Sequence, residues 1–157
     1  MTDLLVKLYD LPDYKACLDS LTERHIEIRR AMASEKIRVV GWVQKVFGDG
    51  WAAECDVAFA RQPIACMLAI DNGRLVGFAC HDSTCLNFFG PIGIDPAFRR
   101  QGIGRFVLLA TLDAMAQSGY AYAIIGDAGP RDFFEKCMGA IPIPGSRPGI
   151  YRPTFKQ

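Results

Sequence analysis

The sequence predicts a single α/β domain with a mixed, mostly antiparallel, twisted sheet flanked by helices. The chain has 157 residues, half of them hydrophobic, which is enough to bury one core. Asn72 and Gly73 stand between two apolar runs, and this dipeptide is typical of a tight β-hairpin. The stretch 92–109 has the pattern of a strand, a basic turn and a helix opened by glycines. A hairpin and a strand-to-helix unit in one small chain together indicate a mixed sheet.

The first half of the chain is predicted to contain one strand and two helices before the hairpin. Residues 26–28 alternate as a short strand, and the apolar spacing predicts helices over 34–47 and 51–60. The hairpin strands are predicted over 64–70 and 75–81.

The second half is predicted to alternate strands with helices and to end in two short strands. The predicted elements are a strand over 86–94, a helix through 106–115, a strand over 120–125, a helix from Arg131, and strands over 140–143 and 150–154. The whole order is therefore β-α-α-β-β-β-α-β-α-β-β.

The turn between residues 95 and 105 carries the strongest functional signal. Pro96 does not fit a continuing central strand, and Gly102 and Gly104 fall where the next helix begins. The first N–H groups of a helix have no partner within it, and glycines let an anion approach them closely. Three arginines add positive charge at this turn: Arg99, Arg100 and Arg105. The turn is therefore predicted to bind phosphate groups.

Two common nucleotide-binding loops do not fit this turn. No Walker string occurs in the chain, and the dinucleotide fingerprint fails because Val107 stands where its third glycine belongs. The remaining pattern, R-x-x-G-x-G over residues 99–104, resembles that of the GNAT superfamily of acyl-CoA-dependent N-acetyltransferases. The element order given above is also the order of that family.

A second block supports the resemblance. Residues 127–140 are similar to the family's N-x-x-A-x-x-F-Y-E-K-x-G-F block, with Asp127 in the place of a frequent Asn and Pro130 in that of Ala. Phe134 occupies the place of a frequent catalytic tyrosine, and one residue is inserted before Gly139. The chain thus departs from the family pattern at position 134, where the family often has a catalytic residue.

The resemblance implies a fold, a donor and a set of donor-binding residues. It implies a GNAT-like sheet, acetyl-CoA as co-substrate, a pantetheine arm along the strand before the turn, and a pyrophosphate on the turn. The implied coenzyme-binding residues are Ile92, Gly93, Ile94, Arg99, Arg100, Gln101, Gly102, Ile103, Gly104, Arg105, Asp127 and Phe134.

The resemblance also divides the chain. Residues 26–157 are predicted to form the acetyltransferase domain, and residues 1–25 an N-terminal extension packed on it. The extension is expected to be structured because an apolar run at 4–9 precedes a helical pattern at Tyr14, Leu18 and Leu21. A homodimer contact is the alternative role for this segment.

Composition excludes several other classes. The net charge is +1, and basic and acidic residues are interspersed outside the turn, so neither nucleic acid nor a membrane surface is expected as a partner. Six cysteines form no C-x-x-C pair and only two histidines are present, so the thiols are expected to be reduced, buried and metal-free. No leader or spanning segment is signalled, and a cytoplasmic protein is predicted.

The predicted reaction is direct attack of an amine on the thioester, with the oxyanion held by backbone N–H groups of residues 92–94. Phe134 cannot donate a proton to the departing thiol, which leaves Tyr151 and Asp127 as catalytic candidates. The base stays unassigned among five residues: Glu54, Asp56, His81, Asp82 and Asp127.

The acceptor, a small-molecule or peptide amine, is expected between the segments 47–51 and 144–151. Two other classes stay open. A non-catalytic acyl-CoA-binding module would keep the turn without an acid and a base. A cysteine-dependent acyltransferase would use Cys80 or Cys85 near His81.

Overall fold

The computed structural model describes residues 1–15, 21 and 23–151. In this part of the chain, seven strands form one sheet and four helices flank it. The strands are β1 (Leu4–Lys7), β2 (Ile26–Arg30), β3 (Cys66–Asp71), β4 (Arg74–His81), β5 (Phe88–Ile94), β6 (Tyr122–Ile125) and β7 (Ile141–Pro142). The helices are α1 (Lys36–Phe47), α2 (Asp49–Phe59), α3 (Ile103–Gln117) and α4 (Arg131–Met138).

The sheet is mixed and mostly antiparallel, which confirms the predicted fold class. Its strand order is β2-β3-β4-β5-β6-β1-β7, and among these neighbours only β5 and β6 are parallel. The β3–β4 hairpin turns at Asn72 and Gly73, with φ angles of 47° and 79°. Two successive residues at positive φ match the right-handed twist of the flanking strands.

Helices pack on both faces of the sheet. Side chains alternate along β4, so Phe78 and Cys80 pack in the core under α1 and α2, while Ala79 packs in the core formed with α3. Helix α3 is buried along most of its length, and Leu108, Leu112 and Met115 are fully enclosed.

The N-terminal residues form a strand of the sheet itself. Strand β1 lies between β6 and β7, where Leu4 pairs with both Ile125 and Pro142, and both Leu4 and Val6 are fully buried. The boundary at residue 25 stays a prediction, and Leu18 of the expected helical pattern lies outside the described residues. The run at 4–9 is too short and too uniformly apolar for its alternation to indicate a strand.

The last predicted strand is not formed where the structure describes it. Residues 140–143 contain β7 as predicted, but Ile150 and Tyr151 lie outside any strand, and the rest of 150–154 lies beyond the described residues. The place between β6 and β7 is taken by β1, whose backbone groups already pair with both neighbours.

Candidate active site

Strands β5 and β6 separate soon after they meet and leave a gap in the sheet. They pair only at Phe88 with Ile124 and at Phe89 with Ile125. The N–H of Asp95 donates to Val76 on β4 at 2.8 Å. Because backbone groups alternate between the two edges of a strand, those of Ile92 and Ile94 face the gap. The carbonyl of Ile94 accepts from Nε of Arg99 at 3.2 Å, and the described structure gives the other gap-facing backbone groups of Ile92 and Ile94 no hydrogen-bond partner.

A cavity of about 440 Å³ lies at the end of this gap. Nine of the twelve predicted coenzyme-binding residues line it: Ile92, Gly93, Ile94, Arg99, Arg100, Gly102, Gly104, Arg105 and Phe134. Phe47, Trp51, Phe98, Pro130 and Phe133 complete the wall. Residues that are adjacent in sequence along β5 and the turn thus form one continuous surface.

The other three predicted residues lie elsewhere. The Ile103 side chain is fully buried in the core, so only its backbone belongs to the turn. Gln101 is held by Arg24, whose guanidinium donates to its backbone carbonyl at 3.0 Å and to its side-chain oxygen at 3.3 Å. Asp127 lines a second cavity, described below.

The start of α3 is open to an anion. Gly102 precedes the helix at a φ of 83°, a conformation that suits glycine, and no side chain caps the helix. The described structure gives no hydrogen-bond partner to the N–H groups of Ile103 and Gly104. Arginines supply the charged side chains that line this cavity, with no carboxylate among the lining residues. The turn therefore combines helix-terminal N–H groups with positive charge.

An aromatic wall closes the cavity on the side of α1 and α2. The rings of Phe47 and Trp51 stack with their centroids 5.2 Å apart. Phe47 lies so close to Gly93 that a β-carbon there would stand 2.5 Å from the ring, so a larger residue at this point of β5 would displace the ring. The predicted acceptor wall 47–51 thus contacts β5 directly.

A second cavity of about 450 Å³ continues the first. The two share Trp51, Ile92, Pro130 and Phe134. Two carboxylates, of Glu54 and Asp127, line the second cavity, and no lysine, arginine or histidine does. Its other lining residues include Met1, Thr84, Phe89, Tyr151 and the segment 125–129. With the Met1 amino group beside Asp127, the second cavity keeps an excess of one negative charge, whereas the first cavity has three positive charges.

Hydrogen bonds fix the acidic groups of the second cavity. The hydroxyl of Thr84 donates to the Glu54 carboxylate. The amino group of Met1 contacts the Asp127 carboxylate. Both carboxylates are thus placed at the wall by groups from distant parts of the chain.

Phe134 and Tyr151 both line this second cavity. Phe134 is buried and packs edge-on against Phe89, with ring centroids 6.3 Å apart. The hydroxyl of Tyr151 lies against Gly126, where a β-carbon would stand 2.5 Å from its oxygen. Burial raises the pKa of Tyr151 above its ordinary value, a hydrogen bond with Thr84 opposes this, and nearby carboxylates add to it. Tyr151 therefore carries its proton at neutral pH.

The other candidate bases and nucleophiles lie outside both cavities. Asp56 pairs with Lys36 at 3.0 Å. His81 and Asp82 form a buried pair, 2.8 Å from Nδ1 to Oδ2, and burial lowers the pKa of His81. Neither Cys80, which is fully buried, nor Cys85, which is exposed, lines either cavity. Of the five candidate bases, Glu54 and Asp127 remain beside the site.

Sequence reasoning missed Asp3, which ties three segments together beside the second cavity. Its carboxylate accepts from the Asp127 N–H at 2.9 Å, and its own N–H donates to the Ser146 hydroxyl at 2.9 Å. Its carbonyl accepts from the N–H of Ile143 at 2.9 Å. No local pattern signals these contacts, because the partners are more than a hundred residues away in sequence.

Comparisons with known proteins agree with the observed fold. A model described as the acetyltransferase (GNAT) family matches residues 32–140. No curated protein sequence matches the chain. In the described part of the chain, every helix is too short or too polar to cross a membrane.

Solved structures share the fold at low sequence identity. The glucosamine N-acetyltransferase region of a fungal multi-domain β-N-acetylglucosaminidase is 16% identical with a TM-score of 0.74, over 90% of this chain and 19% of that one. GCN5-related N-acetyltransferases from Sphaerobacter thermophilus and Kribbella flavida are 14% and 18% identical, with TM-scores of 0.61 and 0.58. Each match covers 90% of this chain, but only 48% and 53% of those chains. The chain thus spans about half or less of the length of these structures.

Proposed function

The chain belongs to the GNAT acetyltransferase family, and from this premise we propose that it transfers an acetyl group from acetyl-CoA to a primary amine. The amine attacks directly in a ternary complex, and the acceptor is a small cationic amine. The observation that carries the proposal is the pair of connected cavities, one lined by three arginines and the other by two carboxylates.

The arginine-lined cavity is the proposed donor site. The pyrophosphate lies on the first turn of α3, on the N–H groups of Ile103 and Gly104, with Arg100 and Arg105 beside it. The pantetheine arm runs along the edge of β5 and uses the backbone groups that face the gap. The thioester then reaches Ile92, which lines both cavities.

The proposed reaction needs a donor for the oxyanion and a proton for the leaving group. Attack by the amine forms the C–N bond and an oxyanion, which the N–H of Ile92 stabilises. Collapse breaks the C–S bond and releases a thiolate, which leaves readily because a thiol of this kind has a pKa of about 8.5. Tyr151 supplies the proton that Phe134 cannot supply, since its hydroxyl is protonated and lies at the second cavity. The resulting phenolate takes up the proton that the attacking nitrogen loses as the amide forms, which restores the Tyr151 hydroxyl.

The acidic cavity is the proposed acceptor site. An ammonium must lose a proton before it attacks, and Glu54 is the proposed base because Thr84 holds its carboxylate at the wall. Asp127 binds a second positive charge of the acceptor, which displaces the amino group of Met1 from it. A volume of about 450 Å³ suits a small molecule better than a folded protein surface.

The remaining predictions are kept as part of this proposal. The enzyme is cytoplasmic, binds neither nucleic acid nor membranes, and uses no metal in the transfer reaction. The net charge of +1 supports the expectation that neither nucleic acid nor a membrane is bound, because it provides no broad basic surface for a polyanion. Homodimer formation stays a prediction.

Three amines that differ only in their far end test the acceptor assignment. We expect kcat/KM to fall from 1,4-diaminobutane through butylamine to 4-aminobutanoate, with thiol release from acetyl-CoA as the readout. An ion pair at a partly exposed site gives about 1 kcal/mol, so each step should be about fivefold. Glucosamine, the acceptor named for the fungal region, belongs in the same panel.

Matched variants distinguish the proposed roles of the Glu54 and Asp127 carboxylates. Asp127→Asn should abolish the preference for the diamine while butylamine turnover persists, whereas Glu54→Gln should lower kcat for every amine. Asp56→Asn is the control, because Asp56 is on the same helix as Glu54 and lies outside both cavities. If the chain binds CoA but releases no thiol with any amine, it is a non-catalytic acyl-CoA-binding module and the proposed transfer activity is refuted. Absence of CoA binding would refute the donor site.

A further inference from the structure

We propose that Cys55, Cys66 and Cys80 form a buried thiolate site for a soft monovalent metal ion of the Cu(I) class. The three cysteines come from α2, β3 and β4. Their Sγ atoms all lie within 4.8 Å of one another, and each residue is fully buried. The site is separate from both cavities, since none of the three residues lines either one.

The sheet brings two of these thiols together. Cys66 and Cys80 are directly opposite in the β3–β4 ladder. The carbonyl of Cys66 accepts from Ala31 on the other side of β3, so the backbone of Cys66 faces away from Cys80. Such a pair has the closer side-chain spacing of an antiparallel sheet. Helix α2 covers this face and places Cys55 over the pair.

The side chains around the three sulfur atoms are apolar. The cluster is enclosed by apolar side chains, including Ala31, Val39, Ala52, Ala58 and Phe78. Outside the cluster, the hydrogen bond recorded for these thiols runs from the Cys66 Sγ to the carbonyl of Met67 at 3.9 Å, which is weak. The described structure thus gives the three sulfurs no strong polar partner outside the cluster.

The distances between the three sulfur atoms allow a metal ion to bind after small side-chain movements. A metal equidistant from three sulfurs that are at most 4.8 Å apart lies at most about 2.8 Å from each, and a metal–thiolate bond is about 2.3 Å. Each sulfur therefore needs to move by about 0.5 Å or less, which a small rotation about χ1 supplies. The backbone needs no rearrangement.

The number and kind of ligands select the ion. Among the described residues, no fourth cysteine, histidine or carboxylate joins the three sulfurs within the same distance. Zinc takes four ligands, or three and a water, and a fully buried cluster offers no water. Soft thiolates favour Cu(I), which is satisfied by two or three of them.

The binding reaction conserves charge through the release of protons. Cu⁺ and two thiols give a bis-thiolate complex of charge −1 and two released protons, and the third sulfur stays protonated as a weak third ligand. No electron is transferred, and the copper stays in the Cu(I) state. The two protons leave to solvent as the cluster opens to load.

The test is an anaerobic titration of the reduced full chain with Cu(I) in competition with bicinchoninate. The background has Cys17, Cys85 and Cys137 replaced by Ser, so that only the three cluster cysteines remain. We expect one Cu(I) per chain, the luminescence of a solvent-shielded Cu(I) thiolate, and two to three sulfur ligands by X-ray absorption.

Variants and a second metal decide the outcome. Loss of an outer-shell partner alone costs ~10–100-fold in metal affinity, so Cys55→Ser should weaken Cu(I) binding by about a hundredfold or more. Cys85→Ser in the natural chain should leave it unchanged. Less than one tight Cu(I) per chain, oxygen or nitrogen ligands in the absorption spectrum, or equal affinity for Zn²⁺ would overturn the proposal. The ligand count is measured on the unmodified cluster, so it decides the matter even if Cys55→Ser does not fold.

Discussion

Substitution of Gly104 by alanine should move stability and coenzyme affinity in opposite directions. Gly104 is the second residue of α3, and a β-carbon there would stand 3.5 Å from Cγ1 of Ile94 and 3.8 Å from Cζ of Phe133. Both are ordinary van der Waals distances, so the free protein accommodates the methyl group. Alanine in place of a helical glycine stabilises by about 0.5–1 kcal/mol, so the melting temperature should rise by a few degrees.

Coenzyme binding should weaken in the same variant. The methyl group fills the surface where the phosphate approaches the N–H groups of the first helical turn. A hydrogen bond to a charged group contributes about 1.5–3 kcal/mol, so loss of one should raise the Kd for CoA about 10- to 100-fold. Isothermal titration calorimetry measures the Kd, and thermal denaturation measures the stability.

A second glycine provides the control. Gly41 lies within α1, and a β-carbon there would meet nothing within 4 Å. Gly41→Ala should raise stability by a similar amount and leave the Kd for CoA unchanged. An unchanged Kd in Gly104→Ala, with its stability raised, would refute the assignment of the pyrophosphate to this helix start.

Two further predictions concern charge and proton delivery. Arg100→Ala should raise the Kd for CoA about tenfold at low salt, and by less at 1 M salt because screening weakens the lost interaction. Arg38→Ala, which removes an exposed arginine on α1, should have no effect by the same calorimetry. Tyr151→Phe should lower kcat for thiol release about 100-fold, at the lower end of the range for general acids. Adding Phe134→Tyr to that variant should restore part of the rate, and an unchanged kcat in Tyr151→Phe would remove this residue from the mechanism.

The parts of the site that the sequence predicted are those built from neighbouring residues. Ile92, Gly102 and Gly104 belong to one strand, turn and helix, so their local conformations alone place them on one surface. The hairpin at Asn72 was predictable for the same reason, because two positive φ angles in sequence specify the turn. Local chemistry therefore predicted which residues line the cavity with the three arginines.

The parts that could not be predicted depend on contacts between distant segments. Leu4 pairs with Ile125, and the Asp3 carboxylate holds the N–H of Asp127, across more than 120 residues in each case. The thiol cluster is similar, because Cys55 meets Cys66 and Cys80 only after a helix packs on a hairpin. A short apolar run or a lone cysteine has the same local pattern whether or not such a partner exists. Tertiary packing decides these features.

In the proposed reaction, the charged groups of the two cavities sort the two substrates. A polyanionic donor is attracted by Arg99, Arg100 and Arg105 and repelled by the carboxylates of Glu54 and Asp127. A cationic acceptor is attracted by the carboxylates and repelled by the arginines. Each substrate is therefore repelled from the cavity that binds the other. The uncharged groups between them, including Ile92, are then where the two reacting atoms meet. Electrostatics in this arrangement sets the orientation of both substrates, and the neutral junction sets the position of the bond that forms.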